Sequence, residues 1–505
     1  MSLARLSLAL LAAGLVACGS ASTVTNERLL VGTSTEPPPK LTATAAVTAA
    51  PTASAVAVAP VKPAVGPQID LEITPSQSIV EVDKASDLSV RFRVRGLPIV
   101  GEKRPPINLA LVVDSSGSMD GAPITRAREA CATLLDALKP DDAVSIVAFG
   151  SQPRVVVPAV RISDESRAKA KEAVKSIKAE GTTDMAGGLQ AGITQARAFF
   201  APSGINRIVL LGDGVPNDPA ATLSFADQAR NQQVSVTALG LGIDFDETLM
   251  TTVAQRSGGT FHFIDDAARV AKVFEQELSK MQRVVARRAF IDVTPGPSVT
   301  VDGAIGLPYQ IIGRTLRVQL GDIGEGQNRD AVVRLRVTAR KAGAQIELAD
   351  AIVRYEVTVP DAPPSVSKFI GLTASADAAA VKNSHNQEIE RQATRLRVAD
   401  NIVRAIALAR GSDLAGARKL LDATSKFASE GAKRFDDADL VAKVKEIQEL
   451  KKTIASLVPP PVRMKVGGIG AGAGRSALQD PAPSPASALS VRRAHGDAMK
   501  VIDGF

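Results

Sequence analysis

Hydrophobic residues alternate with polar residues in two groups of short segments, one on each side of a long central region. In the first group, Ile69, Leu71 and Ile73 share one face, which is the pattern of a half-buried β-strand. The second group has the same period, with Gly and Pro residues between its strands. The first group alone has too few strands to be stable. The pattern therefore predicts one β-sandwich built from two separate stretches of chain, 67–104 and 285–361.

The central region, 105–284, alternates strand-like and helix-like segments. Its strands are continuous apolar runs, beginning with 107–113 and 143–149, and helical patterns separate them. Apolar strands joined by helical crossovers are typical of a parallel sheet with helices on both faces. The sequence therefore predicts a multidomain α/β protein in which this domain is inserted into the β-sandwich.

A small α-helical region is predicted at 376–457, where apolar residues such as Ile389 and Ala393 recur at helical spacing. Gly411 is expected to end one helix there, and Ser412 to cap the next.

Two other segments lack the residues that build a core. The stretch 18–66 consists mainly of Thr, Ala, Val, Pro and Ser, and the stretch 458–505 is rich in Pro, Gly and Ala. Such compositions bury too little apolar surface to offset the entropy of ordering the chain. We expect a disordered tether at 18–66 and a disordered tail at 458–505.

The amino-terminal residues have the pattern of an export signal. Arg5 supplies positive charge, and the apolar stretch from Leu6 to Leu15 is too short to span ~30 Å of hydrocarbon. The run Leu15-Val16-Ala17-Cys18-Gly19 resembles the lipobox of bacterial lipoproteins. That resemblance implies a signal peptide at 1–17, cleavage before Cys18, and acylation at Cys18 with chains such as palmitate. A plain secretory signal with a chance cysteine is the alternative.

The same resemblance implies a location. Gly19, and not an aspartate, follows the lipidated cysteine, and an aspartate there resembles an inner-membrane retention signal. We therefore expect an exported protein, lipid-anchored to the bacterial envelope at the outer membrane.

Composition narrows the class of partner. The chain has no Trp and two Tyr, so it lacks the aromatic platforms on which bases and sugars stack. The net charge is +7 overall, yet residues 107–283 hold 18 Lys and Arg against 21 Asp and Glu, a net charge of −3. The positive excess therefore lies outside the α/β domain, and nucleic acid is not an expected partner.

Polar residues that suit a hard cation follow predicted strand ends in the α/β domain. Asp114, Ser116 and Ser118 follow its first strand, the run Gly181-Thr182-Thr183-Asp184 precedes a helix, and Asp213 follows a later strand. Ligands of parallel α/β sheets bind beyond the carboxyl ends of the strands. Because hydroxyl and carboxylate oxygens suit Mg²⁺, Mn²⁺ or Ca²⁺, the pattern predicts a divalent-cation site at this edge.

Together these residues resemble the metal-ion-dependent adhesion site (MIDAS) of the von Willebrand factor type A (VWA) domain. The resemblance covers about 107–283 and implies a Rossmann-like fold, with Gly212 as its one departure. Because the family's threonine directly precedes Asp or Asn, the implied metal ligands are Asp114, Ser116, Ser118, Thr183 and Asp213. The resemblance also implies one divalent cation, Mg²⁺ first and Ca²⁺ or Mn²⁺ as alternatives. An Asp or Glu of an unknown partner protein would complete its shell.

Other interpretations of these residues stay open. Asp114 and Ser116 could cap a turn, and a metal that serves only stability would suit an envelope scaffold or assembly protein. An enzyme would need a general base or further carboxylates. The three histidines, however, are expected in a strand (His262) and in loop or tail (His385 and His495). We therefore expect a non-enzymatic binding protein.

Overall fold

The structure, a computed structural model, describes residues 66–98, 104–242, 244–454 and 485–503. The predicted signal peptide, Cys18 and all of the predicted tether except Gly66 lie outside these residues. Within the described ranges, no helix combines the length and apolar character needed to cross a membrane.

In residues 66–98, three strands precede the α/β domain: β1 (Ile69–Pro75), β2 (Ile79–Glu81) and β3 (Ala85–Gly96). Buried and exposed positions alternate at the start of β1, as the sequence pattern predicts.

Among the described residues, the α/β domain contains six strands and six α-helices. The strands are β4 (Ile107–Asp114), β5 (Ala143–Phe149), β6 (Pro153–Arg161), β7 (Ile205–Gly212), β8 (Ser235–Leu241) and β9 (Phe261–Ile264). The helices are α1 (Ala122–Ala137), α2 (Asp164–Val174), α3 (Met185–Ala198), α4 (Pro219–Asn231), α5 (Glu247–Ser257) and α6 (Val270–Gln282). The sheet order is β6-β5-β4-β7-β8-β9, parallel except for β6. The antiparallel edge strand β6 is missing from the sequence prediction.

In the described part of the chain, seven strands follow this domain. They are β10 (Val284–Pro295), β11 (Val299–Ala304), β12 (Tyr309–Ile312), β13 (Thr315–Gly324), β14 (Asn328–Thr338), β15 (Gln345–Val357) and β16 (Ser365–Ser375). They combine with the first three strands in two sheets, ordered β1-β3-β14-β11 and β12-β13-β10-β15-β16-β2. Strand β3 pairs with β14 along its length, from Ala85↔Thr338 to Arg95↔Asn328. Strands from both sides of the α/β domain therefore build one sandwich, which confirms the predicted insertion.

The two connections to the α/β domain lie side by side. A Cβ at Gly96, the last residue of β3, would lie 3.0 Å from Val285 Cγ2 in β10 and 2.0 Å from the carbonyl oxygen of Gly324. Only glycine fits this approach, so the chain leaves the sandwich next to the point where it returns.

Within the ranges that the structure describes, the helical region contains four consecutive helices and a fifth that the sequence analysis does not predict. These are α7 (Ala378–Asn383), α8 (Gln387–Arg410), α9 (Leu414–Phe435), α10 (Ala438–Thr453) and α11 (Pro485–Asp503). The cap of α9 is Asp413, whose carboxylate accepts the Gly416 N–H at 2.8 Å. The prediction of Ser412 as the cap is wrong, because the side chain of the next residue, Asp413, accepts the N–H at the start of the helix.

The prediction of a disordered tail at 458–505 is wrong for residues 485–503, which form α11. Within this helix, Val491, Ala494 and Ala498 are buried. The sequence analysis missed these apolar positions because it judged 458–505 by overall composition. Pro, Gly and Ala dominate the residues before α11.

The buried apolar side chains of the described residues form three large clusters and a small fourth one, in which Ile305 and Val332 pack with Ala393 and Leu396 of α8. One lies between the α/β sheet and helices α1, α2 and α6, and another fills the sandwich. The third covers the opposite face of the α/β sheet and continues into α8, α9, α10 and α11. The helical region therefore shares a core with the α/β domain.

Candidate metal site

The candidate site lies where two central strands end. Strands β4 and β7 are parallel neighbours, β4 ends at Asp114, and Asp213 directly follows β7. Parallel neighbours place their carboxyl ends at one edge, so sheet register brings these two carboxylates together across 99 residues of sequence.

Backbone hydrogen bonds hold the loops of this edge in place. The N–H of Ser116 donates to Asp114 Oδ1 at 2.8 Å, and the N–H of Gly117 donates to the Gly181 carbonyl at 3.0 Å. The N–H of Asn217 donates to the carbonyl of Thr183 at 3.0 Å. The three segments that carry the predicted ligands are thus tied to one another before any ligand binds.

The side chains form a continuous chain of oxygens. Ser116 Oγ lies 3.0 Å from Ser118 Oγ, and Ser118 Oγ donates to Asp213 Oδ1 at 2.7 Å. A Cβ at position 214 would lie 3.1 Å from Thr183 Oγ1 and 3.7 Å from Ser118 Oγ, so Gly214 leaves this space open.

Burial disfavours the charged forms of both carboxylates, and a nearby cation would favour them. Asp114 is fully buried, and its Oδ2 has no hydrogen-bond partner among the described residues. Burial raises the pKa of Asp114 to about 7, and the charge of Asp213 adds to the shift. Burial also raises the pKa of Asp213, helped by the charge of Asp244.

These residues fit a divalent cation. Nowhere in the described ranges do three or more His, Cys, Asp or Glu side chains assemble as a metal site, so this edge offers two carboxylates supplemented by hydroxyls. Hard oxygen donors of this kind suit Mg²⁺ and Ca²⁺. The structure brings Asp114, Ser116, Ser118, Thr183 and Asp213 to one place, and their role as ligands stays a prediction.

The neighbouring threonine is engaged elsewhere. The N–H of Thr182 donates to Ser151 Oγ at 3.1 Å, and Asn217 Nδ2 donates to Thr182 Oγ1 at 3.3 Å. Thr182 is exposed while Thr183 is buried, an arrangement that agrees with the choice of Thr183. Sequence reasoning missed Asp244, whose charge reaches Asp213 from the loop after β8. No spacing rule links that loop to the other segments.

The histidines belong to other parts of the molecule. His262 lies in β9, as predicted, with Nε2 3.0 Å from Glu277, and His385 Nδ1 lies 2.7 Å from Glu390. The expectation that His495 lies in loop or tail is wrong, because it is fully buried on α11. Cys131 is buried, as expected for a small apolar side chain, and burial raises the pKa of its thiol to about 12.

The fold and this edge define a class of protein. Residues 107–263 match the family described as von Willebrand factor type A domain. The chain therefore contains a VWA domain, which is generally a protein–protein interaction and adhesion module.

Two relatives and one solved structure show how far the likeness extends. The chain is 29% identical to YfbK of Escherichia coli over 258 residues, which is 48% of this chain and 44% of that protein. It is 26% identical to sll0103 of Synechocystis over 302 residues, 57% of this chain and 71% of that protein. A von Willebrand factor type A structure from Catenulispora acidiphila superposes with a TM-score of 0.60, at 19% identity over 77% of this chain and 91% of that chain. At that identity the likeness shows the fold alone.

Proposed function

We propose that this VWA protein binds a protein partner in a metal-dependent manner at the bacterial envelope. A divalent cation at the VWA site would capture an Asp or Glu of that partner. One observation carries the proposal: Asp114 has a buried oxygen with no hydrogen-bond partner among the described residues, beside a chain of hydroxyls that ends at Asp213.

Each residue has a defined task in this proposal. Asp114 and Asp213 would supply the negative charge that attracts the cation, and Ser116, Ser118 and Thr183 would supply neutral oxygens. When bound, the cation supplies a positive centre with exchangeable positions for a further carboxylate. Three of the five donors are neutral, so less of the charge is cancelled than in an all-carboxylate site.

The envelope location rests on the sequence. The lipobox-like run that ends at Cys18 and Gly19 supports an acyl anchor, and the low-complexity stretch after it supports a tether of the folded part. We propose the outer membrane because no aspartate follows the cysteine.

We also propose that the protein is not an enzyme. The hydroxyl of Ser118 donates to Asp213, and the described histidines are engaged or buried elsewhere. Serine nucleophiles need a base that takes the hydroxyl proton, and no histidine among the described residues lies at this site to do so.

A binding experiment tests the proposal. Envelope extracts would be passed over the immobilised wild-type protein, Asp213→Ala and Asp141→Ala, each with MgCl₂ or EDTA. Asp141→Ala is the matched control, because Asp141 is exposed on the loop before β5, at the opposite edge of the sheet. We expect one partner to bind the wild type and Asp141→Ala in MgCl₂, and to be lost with EDTA or with Asp213→Ala.

Partner binding that survives both EDTA and Asp213→Ala would remove the metal site from recognition. If EDTA lowered the unfolding temperature without changing partner binding, the cation would be structural, as expected for a scaffold or assembly protein.

A further inference from the structure

The outer face of the six-stranded sandwich sheet gathers arginines by strand register. On β13, Arg317 lies opposite Gln310 of β12 and Asp292 of β10. On the next row, Phe290 of β10 lies opposite Arg354 of β15. These residues alternate with the inward-facing Ile291, Leu316 and Val353, so they are presented away from the core.

A cleft of about 550 Å³ covers this face. The end of α4 forms its other wall, through Arg230 and Asn231. Four arginines line the cleft: Arg230, Arg288, Arg317 and Arg354.

Their charge is only partly balanced. The carboxylate of Asp292 accepts hydrogen bonds from two arginines. Arg317 donates to it at 2.7 Å and 2.9 Å, and Arg354 also donates to it. Glu356 pairs with Arg288, while Arg230 is exposed at the helix end. Four guanidinium groups against two carboxylates leave a net charge of +2. Each guanidinium has five N–H donors, so donors remain for a bound anion.

The backbone at Arg288 is distorted in a way that favours this arrangement. Its φ of +47° is unusual for a residue other than glycine, and the β10–β15 register shifts between Arg287 and Phe290. Such bulges redirect side chains and persist where the surroundings hold them. Here the N–H of Arg288 donates to Asp322 Oδ1 at 2.9 Å, while Arg287 donates to the carbonyl of Gly204. The bulge thus sends one arginine into the domain junction and the next into the cleft.

The cleft and the metal site lie at opposite edges of the α/β sheet. Helix α4 starts after the carboxyl end of β7, where Asp213 lies, and ends before the amino end of β8. A ligand in the cleft therefore does not need the cation.

We propose that this cleft is a second binding site, which takes an acidic peptide segment of a partner protein. Guanidinium groups bind carboxylates in bidentate pairs, and Arg354 and Arg230 would pair with neighbouring acidic side chains. Gln310 and Gln319 also line the cleft, and their amides both donate and accept hydrogen bonds, as peptide groups require. A phosphate offers acceptors only, so the peptide uses the cleft more fully. This inference does not depend on the proposed metal-dependent function.

The test measures binding of a fluorescein-labelled decapeptide of alternating Glu and Ser to the full chain by fluorescence anisotropy, in EDTA. We expect Arg354→Gln and Arg230→Gln each to lower the affinity about fivefold or more. Both variants leave the Arg317–Asp292 pair intact, and circular dichroism checks that the fold is unchanged. The matched control is Arg336→Gln on β14, an exposed arginine that pairs with Asp87 on the other sheet. We expect it to stay within twofold of the wild type, and a peptide of alternating Gln and Ser not to bind.

Three results would overturn the proposal. The first is an equal loss with Arg336→Gln, which would mean that overall charge alone attracts the peptide. The second is full competition by inorganic phosphate at low millimolar concentration. The third is binding of phosphatidylglycerol vesicles, and not of the peptide, that Arg354→Gln abolishes. A failure of metal-dependent partner binding would leave this measurement unchanged.

Discussion

At the scale of single residues, the candidate metal site is a hydrogen-bond network in which one buried oxygen is not paired among the described residues. Its hydroxyls and carboxylates satisfy one another in a chain from Ser116 to Asp213, yet Asp114 Oδ2 is buried without a hydrogen-bond partner in the described structure. A buried unpaired carboxylate oxygen costs free energy, and a cation beside it would remove that cost. Among the five predicted ligands, Asp114 is thus the residue that the described structure leaves with an unsatisfied oxygen.

The first prediction follows from charge. Asp213→Ala removes one of two carboxylates and should weaken Mg²⁺ binding at least about tenfold, while Ser118→Ala removes a neutral oxygen and should cost less. Titration calorimetry with MgCl₂ measures both, with Asp141→Ala as control. Since the altered residues lie at loop ends, circular dichroism should show an unchanged fold. Equal losses in the two site variants would contradict this ranking.

The second prediction concerns the anchor. Cys18→Ala removes the thiol that the lipobox-like run implies as the acylation site. Because several acyl chains are needed for stable anchoring, the variant should leave the membrane fraction in a high-salt wash, and the wild type should remain. Cys131→Ala is the control, since that thiol is buried in the α/β domain. A Cys18→Ala protein that stays in the membrane fraction would place the anchor elsewhere.

At the scale of secondary-structure elements, α11 connects the helical region to the VWA domain. Arg492 of this helix donates to the carbonyl of Phe245 at 2.8 Å, and its guanidinium lies over the Phe245 ring. His495 packs edge-on against Phe261, with ring centroids 5.8 Å apart. Phe245 follows Asp244, whose charge acts on Asp213, so α11 supports a segment next to the candidate metal site.

The third prediction is a loss of stability in acid. Neither ring nitrogen of His495 has a hydrogen-bond partner within the described residues, and burial lowers its pKa from 6.5 to about 4. Glu247 and Asp246 act against this shift, while Arg410 and Arg492 act with it. As pH falls from about 6.5 to about 4, the unfolded chain binds a proton that the native chain refuses. The native state should therefore lose up to ~3 kcal/mol over that window.

Urea unfolding between pH 7 and pH 4 measures this loss. His495→Phe keeps the ring contact and removes the titrating group, so it should lose less stability on acidification than the wild type. His385→Gln, at a half-exposed position beside Glu390, is the control and should keep the wild-type loss. Parallel profiles for the wild type and His495→Phe would show that α11 does not carry this dependence.

At the scale of the whole molecule, the VWA domain is held by elements from both ends of the sequence. The sandwich on one side contains strands from before and after the domain, and the helical region shares its apolar cluster on the other. A charged junction joins domain and sandwich, in which Arg207 of β7 pairs with Asp322 of β13. The VWA domain, including the edge that carries the candidate site, therefore packs against both the sandwich and the helical region.

The fourth prediction tests whether β1, β2 and β3 are needed for the sandwich that packs against the VWA domain. Removing 66–98 deletes β1, β2 and β3, including Val90, Phe92 and Val94, each fully buried. Burial of one such side chain contributes about 1.5–3 kcal/mol, so the loss approaches the ~5–15 kcal/mol stability of a whole domain. Limited proteolysis should cut between 285 and 375 and leave 105–284 resistant for longer. A truncated chain that resists cleavage at 285–375 would contradict the shared sandwich.

Local pattern by itself determined much of this protein. Period-two alternation identified the sandwich strands, and apolar runs with helical crossovers identified the α/β domain, because burial on one or two faces leaves a repeat in the sequence. The D-x-S-x-S run at Asp114 could be found because all its members lie on one turn. Such signals depend on residues close in sequence, which is why they survive without a structure.

Tertiary structure decided what depends on distant residues. Edge strand β6 is set by its antiparallel pairing with β5, and α11 by the apolar surface of other elements, which a Pro-, Gly- and Ala-rich stretch does not reveal. The reach of Asp244 to Asp213 and the arginine cleft arise from sheet register and helix packing. Composition and hydrophobic periodicity indicate whether a residue is buried, but they do not show which residues it packs against. Only the folded chain therefore shows which charged side chains lie close together.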